Sequence, residues 1–155
     1  NKYNIKIENS NVIDICSGTG ALGIEALSRG AGLIYFIDKD TKAIGVLQKN
    51  ISKLKIDNKD KIYIKIIKED ALKALQDIKI VFDVVLIDPP YNSNVIEKCL
   101  VKLKQYNLID FNSYIFAESS KKENFNFDGF DLLDTKIYGK SKLTILELSN
   151  SGSIE

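Results

Sequence analysis

Short apolar runs alternate with amphipathic segments along most of the chain. The apolar runs are rich in Ile, Val and Leu and predict buried strands, whereas the segments between them repeat apolar residues at helical spacing. Strand and helix therefore alternate, as in consecutive βαβ units. The first five strands are predicted at residues 12–16, 33–37, 62–67, 81–87 and 113–118. The helices between them are predicted at residues 21–27, 41–54, 71–75 and 95–106.

The strand predicted at residues 81–87 is apolar at nearly every position, as expected for a central strand covered on both faces. Two more strands, at residues 130–137 and 143–148, flank Tyr138-Gly139-Lys140-Ser141, which is typical of a hairpin turn. We expect an α/β fold with a Rossmann-like, doubly wound, seven-stranded sheet, mostly parallel with a C-terminal antiparallel hairpin. Ligands bind beyond the carboxyl ends of such strands, so the residues there are the functional candidates.

The sequence shows no internal repeat or interdomain linker, so we expect one domain over residues 1–148 and a disordered tail over residues 149–155. The first strand begins close to residue 1 and the chain has no methionine, which indicates a missing N-terminal segment. No apolar run is long enough to span a bilayer, and no signal peptide precedes the first strand. We therefore expect a cytoplasmic monomer without membrane association.

Acidic and basic residues nearly balance, giving a net charge of +1. This balance argues against strong nonspecific attraction to a polyanion, although a weak RNA binder with local basic patches is compatible with it. Arg29 is the single arginine, so bidentate guanidinium contacts to bases are largely excluded. Cys16 and Cys99 lie far apart and histidine is absent, so we expect two buried thiols and no zinc site.

A glycine turn follows the first predicted strand and opens the first helix. Gly18-Thr19-Gly20-Ala21-Leu22-Gly23 matches the dinucleotide pattern GxGxxG, which alone is a weak signal. Asp14 precedes the turn, where a carboxylate would repel a pyrophosphate but suits a cationic ligand. S-adenosylmethionine carries a sulfonium and an ammonium but no phosphate, so we favour this methyl donor over NAD. The candidate donor-binding residues of this segment are Asp14, Gly18, Thr19 and Gly20.

Acidic residues at two later strand ends complete the predicted donor site. Asp38 ends the second strand and is the expected acceptor for the ribose hydroxyls. Asp40 competes for that role, but capping of the next helix is the favoured interpretation. Asp70 follows the third strand, where it can accept from the adenine amine or cap the next helix, and the sequence leaves both roles open.

Asp88-Pro89-Pro90-Tyr91 ends the fourth strand. Methylation of an exocyclic amine requires acceptors that localise the nitrogen lone pair and direct it at the methyl carbon. The Asp88 carboxylate and the Pro89 carbonyl can accept from that amine, and Tyr91 offers a face for a flipped base. We therefore predict Asp88, Pro89, Pro90 and Tyr91 as the catalytic segment. The alternative is a turn that only terminates the strand, since Asp-Pro-Pro is common in loops.

With both motifs present, the chain resembles the bacterial RsmD family, methyltransferases that modify the exocyclic amine of one guanine in 16S ribosomal RNA. Residues 18–31 are similar to that family's donor loop and helix, and Glu118 and Tyr138-Gly139-Lys140 also resemble it. Members normally begin with a basic hairpin and a helix, neither of which precedes Asn1. The resemblance implies donor contacts at Asp14, Ser17, Gly18, Gly20, Asp38 and Asp70, and substrate contacts at Asp88, Pro89 and Tyr91.

The leading hypothesis is methyl transfer from S-adenosylmethionine to a guanine amine of 16S ribosomal RNA, either naked or in a small-subunit assembly intermediate. An adenine amine in DNA or RNA, or a protein glutamine amide, stays open as the acceptor, although those families more often carry Asn where Asp88 stands. Asp14 and the Asp-Pro-Pro-Tyr segment count against an NAD-dependent dehydrogenase. A noncatalytic subunit that binds RNA or a partner is the remaining class, but such modules commonly lose the loop or acceptor residues.

Overall fold

The computed structural model describes residues 5–55 and 61–150. In this part of the chain, five strands alternate with four helices, and two further strands follow without a helix between them. The strands are β1 (Asn11–Ile15), β2 (Leu33–Asp38), β3 (Tyr63–Lys68), β4 (Val84–Ile87), β5 (Tyr114–Ser120), β6 (Phe130–Tyr138) and β7 (Ser141–Leu148). The helices are α1 (Ala21–Ser28), α2 (Thr41–Ser52), α3 (Ala71–Gln76) and α4 (Val95–Gln105).

The strands form a single sheet in the order β3-β2-β1-β4-β5-β7-β6. The pairs from β3 to β5 are parallel, whereas β7 runs antiparallel to both β5 and β6. The predicted Rossmann-like sheet with its C-terminal hairpin is therefore confirmed. Because the strand order reverses between β1 and β4, the carboxyl ends of these two strands mark the switch point at which ligands bind.

The helices cover the sheet from two sides. One core cluster joins apolar residues of α1 and α2 to Val12, Ile34 and Phe36 of the first two strands. The other joins residues of α3 and α4 to Ile13 and Ile15 of β1 and to the neighbouring central strands. Adjacent residues of β1 therefore point to opposite clusters, which is the pattern of a strand buried on both faces. None of the helices in the described ranges is long and apolar enough to cross a membrane.

The fourth strand begins at Val84, three residues later than the apolar pattern predicts. Val81 is 42% exposed, and Phe82 is buried although it lies in the loop. The Asp83 amide donates to the Asn11 carbonyl, and the Asn11 amide donates to the Asp83 carboxylate, both at 2.8 Å. These two hydrogen bonds connect this loop to the start of β1. Of the predicted tail, Ser149 donates its amide to the Gly129 carbonyl, and residues 151–155 lie outside the described residues.

Candidate active site

The glycine turn at the end of β1 has a backbone that only small residues accommodate. Gly18 and Gly20 have positive φ angles of 55° and 86°, and the Gly20 amide donates to the Ser17 carbonyl at 2.8 Å. A Cβ on Gly20 would lie 2.2 Å from Leu47 Cδ1 of α2, whereas one on Gly18 would meet open space. The turn is thus packed on its inner side and open on the side of Gly18. Thr19 is exposed, and its carbonyl accepts from Asn50 at 3.1 Å.

Asp38, at the end of β2, holds this turn in place. One carboxylate oxygen accepts from the Gly18 amide at 2.8 Å, and the other accepts from the Asp40 amide at 2.9 Å. Each carboxylate oxygen has a second lone pair, so Asp38 can still accept from a ligand hydroxyl. Asp40 accepts from the amides of Lys42 and Ala43, which confirms that it is the N-cap of α2.

Asp14 lies behind the turn and is 1% exposed. Its carboxylate accepts from the Gly23 amide of α1 at 3.0 Å. Burial raises the pKa of Asp14 to about 7, and the carboxylates of Asp88 and Asp38 add to the rise, while the Gly23 hydrogen bond opposes it. The structure therefore gives Asp14 a direct role in seating α1, and its contact with a donor stays a prediction.

Two further polar groups stand near the carboxyl ends of the first three strands. The Ser17 hydroxyl is buried and has no hydrogen-bond partner among the described residues. Asp70 caps α3 through one oxygen, which accepts from Leu72 at 3.1 Å and Lys73 at 3.3 Å. The cap that the sequence left open is thus present, while the adenine contact stays a prediction.

This donor set suits S-adenosylmethionine better than a pyrophosphate. The carboxyl ends of β1, β2 and β3 carry an orphaned hydroxyl at Ser17, open space over Gly18 and the acceptor oxygens of Asp38 and Asp70. Carboxylates accept from ribose hydroxyls and from ammonium or adenine amine groups, but they repel phosphate. The residues present therefore fit the methyl donor.

Asp88 emerges from β4 beside the glycine turn. Its amide donates to the Ile15 carbonyl at 3.3 Å, and Ile15 is the last residue of β1 before the turn begins. Partial burial and the neighbouring Glu118 carboxyl raise the pKa of Asp88 to about 6. Pro89 is buried and Pro90 is exposed. The structure thus brings the predicted acceptor segment next to the predicted donor turn.

Tyr91 is tied to the C-terminal hairpin. Its hydroxyl forms a short hydrogen bond with the hydroxyl of Ser141, the first residue of β7, and the side chain is 48% exposed. The aromatic ring is therefore held at one end and accessible, which is compatible with stacking on a base. That stacking stays a prediction.

Glu123 joins the loop after the Asp-Pro-Pro-Tyr segment to the end of β5 and to β7, and sequence reasoning missed this residue. Its carboxylate accepts from the amides of Asn92 at 2.8 Å and Ser120 at 2.7 Å. Its carbonyl accepts from the Lys142 ammonium at 2.6 Å. Asn92 and Lys142 are distant from Glu123 in the sequence, so no local signal could have found these contacts.

A pocket of about 350 Å³ lies beside Pro89, between the loop that precedes α4 and the loop that follows β5. The Ser93 hydroxyl in this region is buried without a partner among the described residues. The lining is mostly polar and includes side chains of both charges. The pocket is lined by Pro89, Asn92, Ser93, Asn94, Val95, Ile96, Glu97, Lys122, Glu123, Asn124 and Phe125.

The two cysteines do not join the site chemistry. Both are free thiols, but the prediction that both are buried is right only for Cys99. Cys16 is half-buried, because it follows the last residue of β1 and begins the turn with a φ angle of 60°. Burial raises the pKa of Cys16 to about 11 and that of Cys99 to about 12, so both are uncharged at neutral pH. Residues 5–55 and 61–150 contain no cluster of three or more His, Cys, Asp or Glu side chains that could hold a metal ion.

The chain is similar to proteins from several bacteria. The family model described as "Conserved hypothetical protein 95" matches residues 1–147. The ribosomal RNA small subunit methyltransferase D of Buchnera aphidicola subsp. Acyrthosiphon pisum is 34% identical over 119 residues, which cover 76% of this chain and 60% of that protein. An uncharacterized methylase of Rickettsia prowazekii is 27% identical over 92% of this chain and 78% of that protein. The solved structure of a conserved hypothetical protein from Streptococcus pyogenes has a TM-score of 0.80 at 29% identity, covering 90% of this chain and 86% of that one.

Proposed function

Because the chain belongs to the RsmD family of methyltransferases, we propose that it transfers a methyl group from S-adenosylmethionine to the exocyclic amine of a guanine in 16S ribosomal RNA. One observation carries this proposal. The Asp88 amide bonds to the Ile15 carbonyl, so the acceptor segment and the glycine turn leave adjacent strands at one point of the sheet. Methyl transfer requires the acceptor nitrogen and the donor methyl group to meet, and the adjacency of the two segments supports this proposal.

The donor would be held by the ends of β1, β2 and β3. Asp38 would accept from the ribose hydroxyls, Asp70 from the adenine amine, and the Ser17 hydroxyl would gain a partner. When bound, S-adenosylmethionine supplies an electrophilic methyl group on a sulfonium. Asp14 holds α1 under the turn by accepting from the Gly23 amide.

The acceptor amine would be held by Asp88 and by the carbonyl of Pro89. Hydrogen bonds to these oxygens draw the amine hydrogens to one side, so the nitrogen lone pair is less delocalised into the base. Tyr91 would stack on the flipped base, since its ring is accessible and its hydroxyl is fixed by Ser141. The substrate is 16S ribosomal RNA, free or in a small-subunit assembly intermediate, and the protein acts as a cytoplasmic monomer.

Calorimetric titration with S-adenosylhomocysteine, with NAD as the parallel ligand, tests the donor assignment. Binding of S-adenosylhomocysteine alone is expected, because the carboxylates beside the turn repel a pyrophosphate. Binding of NAD alone would contradict the assignment.

Transfer of labelled methyl groups to 16S ribosomal RNA, compared between the unchanged protein and Asp88→Asn, tests the chemistry. The variant keeps an acceptor oxygen but loses the charge, and we expect its rate to fall by roughly 100-fold or more, with donor binding retained. Asp131→Asn, the same change at an exposed acid of β6, is the matched control and should leave the rate unchanged. Full activity in Asp88→Asn would remove the catalytic assignment.

A further inference from the structure

The carboxyl groups of Asp88 and Glu118 leave two neighbouring strands side by side. In the parallel pair of β4 and β5, Ile87 lies opposite Ala117, so the next residue on each strand is one of these two acids. Residues at matched positions of paired strands point to the same face of a sheet, and here the two carboxyl groups are close enough for Glu118 to raise the pKa of Asp88. Glu118 is half-buried, and Leu143 of β7 is its backbone neighbour on the other side.

No basic side chain compensates this pair in the part of the chain that the structure describes. Within residues 5–55 and 61–150, neither Asp88 nor Glu118 forms an ion pair with a lysine or arginine, whereas Glu25 pairs with Arg29 on α1. Two adjacent carboxyls without a cation repel each other unless a proton or a donor group lies between them. The pair is therefore an acceptor site that lacks its donors.

Guanine carries the matching donors on one edge. Its exocyclic amine and its ring N1–H lie next to each other, whereas adenine presents an acceptor nitrogen beside its amine. We propose that Glu118 accepts the N1–H of the target guanine while Asp88 accepts from the amine, which makes Glu118 a specificity-determining residue. This inference rests on the proposed function, whose acceptor segment it extends by one residue on the neighbouring strand.

The pairing also explains why an acid and not an amide is suited to both positions. Two carboxylates offer acceptors only, so they match the adjacent N1–H and amine donors of guanine. An adenine placed in the same orientation would direct its N1 lone pair at the Glu118 carboxylate, and a buried acceptor facing an acceptor is strongly disfavoured. Asp88 and Glu118 together would thus select guanine by accepting its donors and by repelling the alternative.

The test uses two RNAs that differ only at the guanine that the unchanged protein methylates. In one RNA this base is guanine, and in the other it is 2-aminopurine, which keeps the amine but lacks the N1–H and the O6 oxygen, so the comparison with Glu118→Gln isolates the contact at N1. We expect kcat/KM for guanine to exceed that for 2-aminopurine by at least about tenfold, since a hydrogen bond to a charged group is lost. In Glu118→Gln the ratio should shrink at least about tenfold, because the new amide can donate to N1.

Glu123→Gln is the matched control. It makes the same change at an acid whose two carboxylate oxygens already accept from the Asn92 and Ser120 amides, so it should lower both rates without changing their ratio. Titration with S-adenosylhomocysteine checks that each variant keeps the donor site, and so provides a readout independent of turnover.

The outcomes separate this inference from the function on which it rests. A Glu118→Gln variant that methylates guanine with an unchanged base ratio overturns the role of Glu118 and leaves the proposed function intact. Equal rates of the unchanged protein on both RNAs also overturn it, and this measurement needs no variant to fold. Failure of the donor-bound, unchanged protein to methylate any guanine RNA overturns the proposed function and the inference with it.

Discussion

The carboxylate of Asp38 accepts a hydrogen bond from the backbone amide of Gly18 at 2.8 Å. This bond links the end of β2 to the turn that leaves β1, across the parallel pair of the two strands. The residue predicted to bind the donor's ribose is thus also the residue that fixes the shape of the donor turn. Loss of its carboxylate removes both effects together.

Asp38→Ala should weaken S-adenosylhomocysteine binding by at least about tenfold, because the variant loses a charge-assisted acceptor and the brace on Gly18. Calorimetric titration measures the change. Asp40→Ala is the control, since Asp40 caps α2. That variant should lose about 1 kcal/mol of stability and keep its affinity. Equal losses of affinity in the two variants would show that Asp38 acts only through the fold.

Gly23→Ala should destabilise the protein, whereas Gly45→Ala should not. A Cβ at Gly23 would lie 2.3 Å from Phe36 and 2.9 Å from the Asp14 carboxylate, so we expect a loss of about 1–3 kcal/mol or more. Gly45 lies within α2, where a Cβ meets nothing within 4 Å, and alanine there should add about 0.5–1 kcal/mol. Urea unfolding measures the stability of both variants. An unchanged free energy of unfolding in Gly23→Ala would contradict the close packing of α1 on the sheet.

The buried Asp14 should make stability fall as pH rises from about 4 to about 7. Its folded pKa of about 7 lies above its ordinary value of 3.8, so the folded state holds the proton more tightly than the unfolded chain. This contribution is complete below the lower value and is lost as pH passes the higher one. Asp14→Asn should flatten the pH dependence of urea unfolding in this window. Asp131→Asn should leave the slope as it is, and an unchanged slope in Asp14→Asn would refute the burial effect.

Methyl transfer should lose rate as pH falls through about 6, because protonated Asp88 no longer offers a free carboxylate to the amine. Glu118 helps to raise this pKa, so Glu118→Gln should move the midpoint of the pH–rate profile to lower pH. The measurement is kcat/KM across the acidic range for both proteins at saturating donor. A midpoint that stays in place or rises in Glu118→Gln would contradict the coupling of the two carboxyls.

Much of this architecture follows from local sequence alone. Alternating apolar runs predict the sheet, because each buried strand needs a continuous hydrophobic segment. The position of Asp40 directly before a helix predicts its role as a cap. The glycine turn and Asp88 were expected near each other because both follow parallel strands, and the bond from Asp88 to Ile15 confirms that they meet. These predictions depend on short-range patterns and on one rule about strand ends.

Other features depend on contacts between distant segments, which local patterns do not report. β4 starts at Val84 because Asp83 is used to tie the preceding loop to Asn11. The role of Glu123 depends on its contacts with Asn92 and Lys142, which are distant from it in the sequence. The pairing of Asp88 with Glu118 follows from the register between β4 and β5, which the sequence around either residue does not predict.

Identification of the methylated nucleoside tests the central claim most directly. Ribosomal RNA and partly assembled small subunits would be incubated with isotope-labelled S-adenosylmethionine and the protein, then digested to nucleosides and analysed by mass spectrometry. The arrangement of Asp88, Pro89 and Glu118 predicts label in N2-methylguanosine, and much less label with Asp88→Asn. Label in a methylated adenosine, or none at all in the presence of a protein that binds S-adenosylhomocysteine, would contradict the account.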